Sequence, residues 1–354
     1  KDLVADGIVG GVGGVIVFLP NILILYFCIS FMEDSGYMAR AAFIMDKVMH
    51  RIGLHGKSFI PLIMGFGCNV PAIMASRAIE SRSSRIITIL INPFMSCSAR
   101  LPVYVLLVGT FFPTHAALVF MGLYILGILV AMLTARLLRR FLFKKDETPF
   151  VMELPPYRLP TLRASLRHTW EKGKEYIRKM GGIILFASIV VWALNYFPMH
   201  RQQSYEVTAA ENMDDDIIDP SRDSYLEMMG KFINPVMKPL GFNWRASVAA
   251  LAGVPAKEIV VSTLGVLYTG DGADDSERLG ARLSSSSTAG RQGFTPAVAL
   301  SFMIFILLYC PCLATVAAIA RETGTWWYSL FSIVYNTAVA WLIAFAVYRI
   351  ILLL

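Results

Sequence analysis

Five cysteines are spread over the 354 residues, and four stand where Gly or Pro interrupts an apolar stretch. Cys68 lies in Gly67-Cys68-Asn69-Val70-Pro71-Ala72 and Cys97 ends Asn92-Pro93-Phe94-Met95-Ser96-Cys97; Cys310 and Cys312 flank Pro311. A fourth interrupted stretch, Gly253-Val254-Pro255-Ala256-Lys257-Glu258, brings a carboxylate. Thiolates select the softer transition metals, whereas magnesium or calcium calls for oxygen ligands alone. Cys68, Cys97, Cys312 and Glu258 are therefore candidate ligands for a borderline divalent ion such as Fe²⁺. Asn69, Ser96 and Cys310 stand in support. Such ligands bind deprotonated, so binding is expected to weaken at low pH. Cys28 has no polar neighbour on a smooth apolar run and reads as packing. Glu258, inside an apolar run, is a functional residue by default, its other reading being a pair with Lys257 or Arg100.

The breaks are as informative as the thiols. Pro removes a backbone donor and clashes one turn back, and Gly lets the chain leave helical geometry. Gly67, Pro71, Pro93, Gly253, Pro255 and Pro311 should therefore cut their helices and leave free carbonyls, which suit cations. Lipid cannot satisfy freed backbone groups, so broken helices at membrane depth survive only against protein or a wet cavity. Paired Gly/Pro-interrupted segments in two halves of a chain point to a transporter's substrate site.

The elements that must position these residues are membrane helices. The chain is 56% hydrophobic and 16% charged, against about 25% charge in ordinary soluble domains. The sequence predicts an all-α polytopic membrane protein with about eight spans: 8–31, 58–76, 86–112, 115–138, 181–198, 244–268, 295–320 and 326–352. Stretches 36–52 and 161–179 mix apolar and basic residues and suit helices lying in the interface plane. The 136–179 loop holds twelve basic residues against five acidic ones, and 199–243 holds eight acidic against four basic. The positive-inside rule then makes the first cytoplasmic and the second external, with both termini cytoplasmic. Glu33 and Asp34 fall at the outer mouth, where they could attract a cation. The net charge of +7 reflects that basic loop and gives no sign of nucleic-acid binding; the lipid bilayer is the expected partner. No cleavable signal peptide is apparent, and Lys1-Asp2-Leu3 lacks an initiator Met, so further chain is expected upstream.

An internal repeat is legible. Gly13-Gly14-Val15-Ile16-Val17-Phe18 echoes Gly181-Gly182-Ile183-Ile184-Leu185-Phe186, and Ile52-Gly53-Leu54 echoes Leu240-Gly241-Phe242. Val70-Pro71-Ala72 echoes Val254-Pro255-Ala256, and Cys97-Ser98-Ala99 echoes Cys312-Leu313-Ala314. Each half reads as span, surface helix, two broken spans and span, which predicts two parallel four-span repeats. Their limits are 1–138, with broken elements at about 58–112, and 181–354, with broken elements at about 244–320. A basic connector, 139–180, joins them. The halves differ at the breaks: Cys68 has no thiol counterpart, and Glu258 takes the place of Met74.

Two other activities have weaker support. Gly56-Lys57-Ser58 resembles the end of a phosphate-binding loop, but the required earlier Gly falls at Arg51. Thiol–disulfide chemistry at Cys310 or Cys312 lacks a neighbouring general base, and only one residue separates these cysteines. The sequence therefore predicts no enzyme in this stretch. An organic-solute carrier remains the alternative to a metal permease, since such breaks also occur in nucleoside transporters.

At these residues the chain resembles the membrane domain of the FeoB family of bacterial ferrous iron transporters. The resemblance rests on Met32-Glu33-Asp34-Ser35-Gly36-Tyr37-Met38-Ala39-Arg40, Gly65-Phe66-Gly67-Cys68-Asn69-Val70-Pro71-Ala72, and Gly253-Val254-Pro255-Ala256-Lys257-Glu258-Ile259-Val260. Pro311-Cys312-Leu313-Ala314-Thr315 and Arg321-Glu322-Thr323-Gly324 extend it, so that it covers essentially the whole chain. It implies Gate regions around the breaks, Fe²⁺ as substrate, metal handling at Cys68, Cys97 and Cys312, and residence in the bacterial inner membrane. It also implies a cytoplasmic G domain before Lys1, which would bind GTP and Mg²⁺, and a small cytosolic partner, FeoA. No bound cofactor is expected within this stretch, and homo-oligomer formation is left open.

Overall fold

The computed structural model describes residues 10–142, 160–176, 225–269 and 294–353, with isolated positions 178, 182, 190, 279, 280 and 283. Among the described residues every regular element is helical, as the all-α reading requires. The expected span 181–198, most of the acidic loop 199–243 and nearly all of 270–292 lie outside them. The first half contains α1 (Gly10–Asp34), α2 (Tyr37–Ile52), α3 (Phe59–Gly67), α4 (Asn69–Ala75), α5 (Arg82–Ile91), α6 (Leu101–Phe111) and α7 (Ala116–Phe141). The connector contributes α8 (Leu162–Tyr176). The second half contains α9 (Tyr225–Met237), α10 (Trp244–Ala252), α11 (Ile259–Thr269), α12 (Pro296–Leu308), α13 (Leu313–Thr323) and α14 (Trp326–Leu353).

Among the described residues, four stretches are long and apolar enough to cross a membrane: Arg82–Phe111, Pro113–Phe141, Pro296–Thr323 and Trp326–Leu353. The first and third run through the breaks between α5 and α6 and between α12 and α13. Helix α2 behaves as an interfacial helix should. Met38, Ala42, Met49 and Ile52 are buried on one face, while Lys47 and Arg51 stay exposed. It ends at Gly53, whose φ of 87° is a left-handed cap that glycine adopts without a Cβ clash.

Two of the expected spans fold back on themselves. Lys57, just before α3, and Glu80, just beyond α4, form an ion pair of 2.6 Å. A straight helix between them would hold them roughly 30 Å apart at 1.5 Å per residue. Stretch 58–76 is therefore a re-entrant hairpin, α3 and α4 folding back at the single extended residue Cys68 (φ −152°, ψ 131°). Stretch 244–268 does the same. Asn243 Nδ2 donates to the Tyr268 hydroxyl at 2.6 Å, and Arg245 lies over the Tyr268 ring, so both ends of α10–α11 meet and residues 253–258 form the tip.

The two hairpins open at opposite ends of the molecule. Arg77, in the 3-10 turn that prolongs α4, holds the carboxylate of Glu322 at the end of α13 through two hydrogen bonds. Tyr268, at the mouth of the second hairpin, meets Phe294 at the start of α12, ring centroids 6.1 Å apart. The α12–α13 element thus runs from one mouth to the other. Parallel repeats would put both mouths at the same end, so that expectation is overturned. A second correction concerns Glu33 and Asp34. Ser165 of α8 donates to Asp34 Oδ2 at 3.1 Å, and Ser30 bonds His168 at 3.0 Å. The end of α1 therefore lies against the basic connector, and cannot occupy the opposite face as an outer mouth.

In lipid, helices associate mainly through close packing and internal hydrogen bonds. Helix α13 presents buried Ala314, Ala317 and Ala318 to Val70 and Ile73 of α4, so two backbones approach closely. The main core joins both halves: Phe94, Tyr104 and Leu107 pack with Phe302, Phe305 and Leu308. Phe94 meets Tyr335 of α14 edge to face at 5.7 Å. This packing sets the α5–α6 and α12–α13 breaks beside the hairpin tips.

Candidate functional site

Each of the three leading cysteines starts a helical segment. Cys68 is the N-cap of α4, Cys97 that of the 3-10 turn Ser98–Arg100, and Cys312 that of α13; all three are extended. Helix starts present unpaired amides and favour negative charge nearby. Two hydrogen bonds fasten the α5–α6 break to the first hairpin: Ser98 Oγ donates to the Gly67 carbonyl at 3.0 Å, and Asn92 Nδ2 to the Pro61 carbonyl at 3.0 Å. The α4–α13 contact brings in Cys312, which packs with Cys68 on one apolar cluster. Cys68 consequently lies within electrostatic reach of Cys97, Cys312 and Glu258.

The structure thus gathers thiols from both halves of the chain. It does not draw them into a finished coordination shell: among the described residues no three Cys, His, Asp or Glu side chains converge closely enough to hold an ion. Glu258 is half-buried at the end of the second tip, immediately before α11. Asn69 is buried and its Oδ1 lacks a protein partner. Ser96 is buried and its hydroxyl lacks a protein partner. The Cys312 thiol pairs with Thr315 Oγ1 at 3.1 Å, and the Cys310 thiol turns back to the Pro311 carbonyl at 3.3 Å. Cys28 is exposed on α1.

Carbonyls at two of the breaks are taken by buried cations. Arg100 is 1% exposed, and it donates to the carbonyls of Met95 and Pro93, each at 2.9 Å. Lys257 is 3% exposed, and its ammonium donates to the Cys310 carbonyl at 2.6 Å. The same ammonium sits 3.2 Å from the centroid of the Tyr309 ring, while the Tyr309 hydroxyl donates to the Ala250 carbonyl at 3.1 Å. Neither cation appears with Glu258 among the described ion pairs. The sequence offers Arg100 and Lys257 only as partners for Glu258. The available signal was their own position, since a lone cation in an apolar run is as costly as a lone carboxylate.

Comparison with known proteins gives this geometry a family. Residues 15–111 and 177–326 match the Gate family, described as nucleoside recognition, and residues 120–172 match the family described as Ferrous iron transport protein B C terminus. A Porphyromonas gingivalis relative, an Fe(2+) transport protein A/Fe(2+) transporter FeoB fusion protein, is 56% identical over 99% of this chain and 44% of its own length. The Fe(2+) transporter FeoB of Staphylococcus aureus strain MSSA476 is 45% identical, over 99% of this chain and 49% of the relative. That of Methanocaldococcus jannaschii is 42% identical, over 98% and 49%. The chain thus spans about half the length of the curated relatives it matches. No solved structure matches it. The chain belongs to the FeoB family, and its two hairpins and two broken spans lie within the stretches that match the Gate family.

Proposed function

We propose that this chain is the permeation unit of a ferrous iron uptake system in the bacterial inner membrane, passing Fe²⁺ through the cysteine cluster between its two halves. One observation carries the reading: Cys68, Cys97 and Cys312, far apart in sequence, all start helical segments at neighbouring tips and breaks of the interrupted helices. Thiols at that depth suit a borderline divalent ion. Glu258 supplies an oxygen ligand from the second tip, with Asn69 and Ser96 lining the approach. Relatives named as Fe(2+) transporters support the substrate, and the fusion relative supports FeoA as a partner. Coupling to GTP hydrolysis belongs to a G domain outside this stretch.

The two halves form an inverted repeat, with a pseudo-two-fold axis in the membrane plane. Support comes from matched packing. Helix α4 lies on α13, and α6 on α11; α5 and α6 pack on α7 as α12 and α13 pack on α14. Gly53 and Gly241 are left-handed at equivalent points, each tucked against the last span of its own half. With the basic connector cytoplasmic, the first hairpin opens to the cytoplasm and the second to the outside. Residue 10 then lies on the external side.

The test is Fe²⁺ uptake by cells expressing the full-length protein with Cys97 and Cys312 both replaced by Ser. Uptake should fall at least tenfold at unchanged membrane abundance, while Cys28→Ser should have no effect. Normal uptake by the double variant would remove the thiol site.

A further inference from the structure

The helix breaks of the two halves are equivalent by sequence, and each holds a buried cation on the carbonyl at the same place. Cys97 aligns with Cys312, which aligns Met95 with Cys310. Arg100 donates to the Met95 carbonyl and Lys257 to the Cys310 carbonyl. The two seats are built differently. Arg100 comes from the same broken span that it caps, and its guanidinium binds two carbonyls at once, an anchored arrangement. Lys257 reaches across from the tip of the second hairpin, on one hydrogen bond and one ring face. A compact ammonium on a flexible stem is the group that can leave such a seat.

Lys257 also stands where it matters for a metal. It is within electrostatic reach of Cys97, Cys310 and Cys312, so a divalent ion among the thiols and the ammonium would repel each other strongly in this low-dielectric setting. Glu258 is its neighbour on the same six-residue tip, and lies within electrostatic range of Cys68. Any movement that withdraws Lys257 therefore repositions Glu258.

We propose that Lys257 is a tethered surrogate cation: its ammonium holds the cation's place beside the thiols while no metal is bound, and an entering divalent ion, as the thiols that take it release their protons, displaces it from the Cys310 carbonyl and the Tyr309 ring. The displacement moves the second hairpin tip and brings Glu258 to the ion. This rests on the reading that the thiols bind metal. Lys257 is thus a positioning residue that sets affinity and resets the site after release. Arg100 remains seated throughout.

The test uses the purified full-length protein and Co²⁺ alone as probe, titrated by its thiolate charge-transfer absorption, alongside Fe²⁺ uptake in proteoliposomes. Lys257→Met removes the charge and keeps the length; Lys257→Arg keeps the charge. Lys257→Met should bind Co²⁺ at least about tenfold more tightly, with KM for Fe²⁺ lowered and maximal uptake reduced. Lys257→Arg should stay within about threefold of wild type in Co²⁺ affinity. A structural defect would lower the number of sites without tightening them. Unchanged or weaker Co²⁺ affinity in Lys257→Met, beside a normal wild-type thiolate band, would overturn this inference alone. Absence of the thiolate band from the wild type would overturn it together with the thiol site.

Discussion

Polar side chains at this molecule's breaks and hairpin mouths act through the backbone groups that broken helices expose. Arg100 and Lys257 fill carbonyl ends; Asn243 and His55 fill amide ends. Asn243 Oδ1 accepts from the Ala246 amide at 2.8 Å, and His55 Nδ1 accepts from the Lys57 amide at 3.1 Å, at matching points of the two halves. The two caps differ in one respect: His55 can lose its acceptor by protonation. Burial, and then the Lys57 charge, lower its pKa below the ordinary 6.5. Folding thus favours the neutral ring. Its contribution is fully present above 6.5 and is lost as pH falls through the lowered native value. His55→Asn installs the cap used by the other half and should flatten the loss of thermal stability between about pH 7 and pH 5. Equal pH slopes in the two proteins, measured as unfolding midpoints in detergent, would show that this cap does not titrate.

Among the elements, the breaks were legible, whereas the path of the hairpins was not. Gly and Pro in apolar runs mark all four breaks, and Ile52-Gly53-Leu54 with Leu240-Gly241-Phe242 marks the same left-handed turn before each hairpin. Yet 58–76 has the length and hydropathy of a span. What turns it into a hairpin is one extended residue, Cys68, together with the Lys57–Glu80 pair at its mouth, and neither leaves a mark in composition. The carbonyl seats of Arg100 and Lys257 were hidden for a related reason, since they depend on which break lies beside which tip. The left-handed turns themselves offer a graded test. A Cβ at either glycine costs about 1–2 kcal/mol in backbone strain. At Gly241 the new methyl would also stand 2.7 Å from the Tyr348 ring, whereas at Gly53 it would meet the Arg139 stem at 3.0 Å. A flexible stem yields more readily than a packed ring, so Gly241→Ala should lose about 1 kcal/mol more than Gly53→Ala. Unfolding midpoints of the two variants check this, and equal losses would mean that the ring moves freely.

At the scale of the whole molecule, mistaking two hairpins for spans changes more than a count. Each hairpin returns the chain to the side it came from, so each error reverses the sidedness of everything downstream until the next. That is why parallel repeats and an outer-mouth Asp34 followed from a sound reading of hydropathy. The hairpin layout keeps the basic connector, Arg77, Arg82 and Arg85 on one side, as the positive-inside rule requires. Glu322 now joins them through Arg77, and the end of α1 joins them through α8. Single cysteines can decide between the two layouts. Ala78, Thr325 and Lys238 are all exposed, the first two near the Arg77–Glu322 pair and the third by the second hairpin mouth. Eight straight spans would put position 78 inside and positions 325 and 238 outside. The hairpin layout puts 78 and 325 together inside, with 238 alone outside. Labelling Ala78→Cys, Thr325→Cys and Lys238→Cys with a membrane-impermeant maleimide, above the wild-type background, should give the second pattern. In right-side-out vesicles only position 238 should react. In inverted vesicles positions 78 and 325 should react, and reaction of 325 from the outside would return the molecule to eight spans.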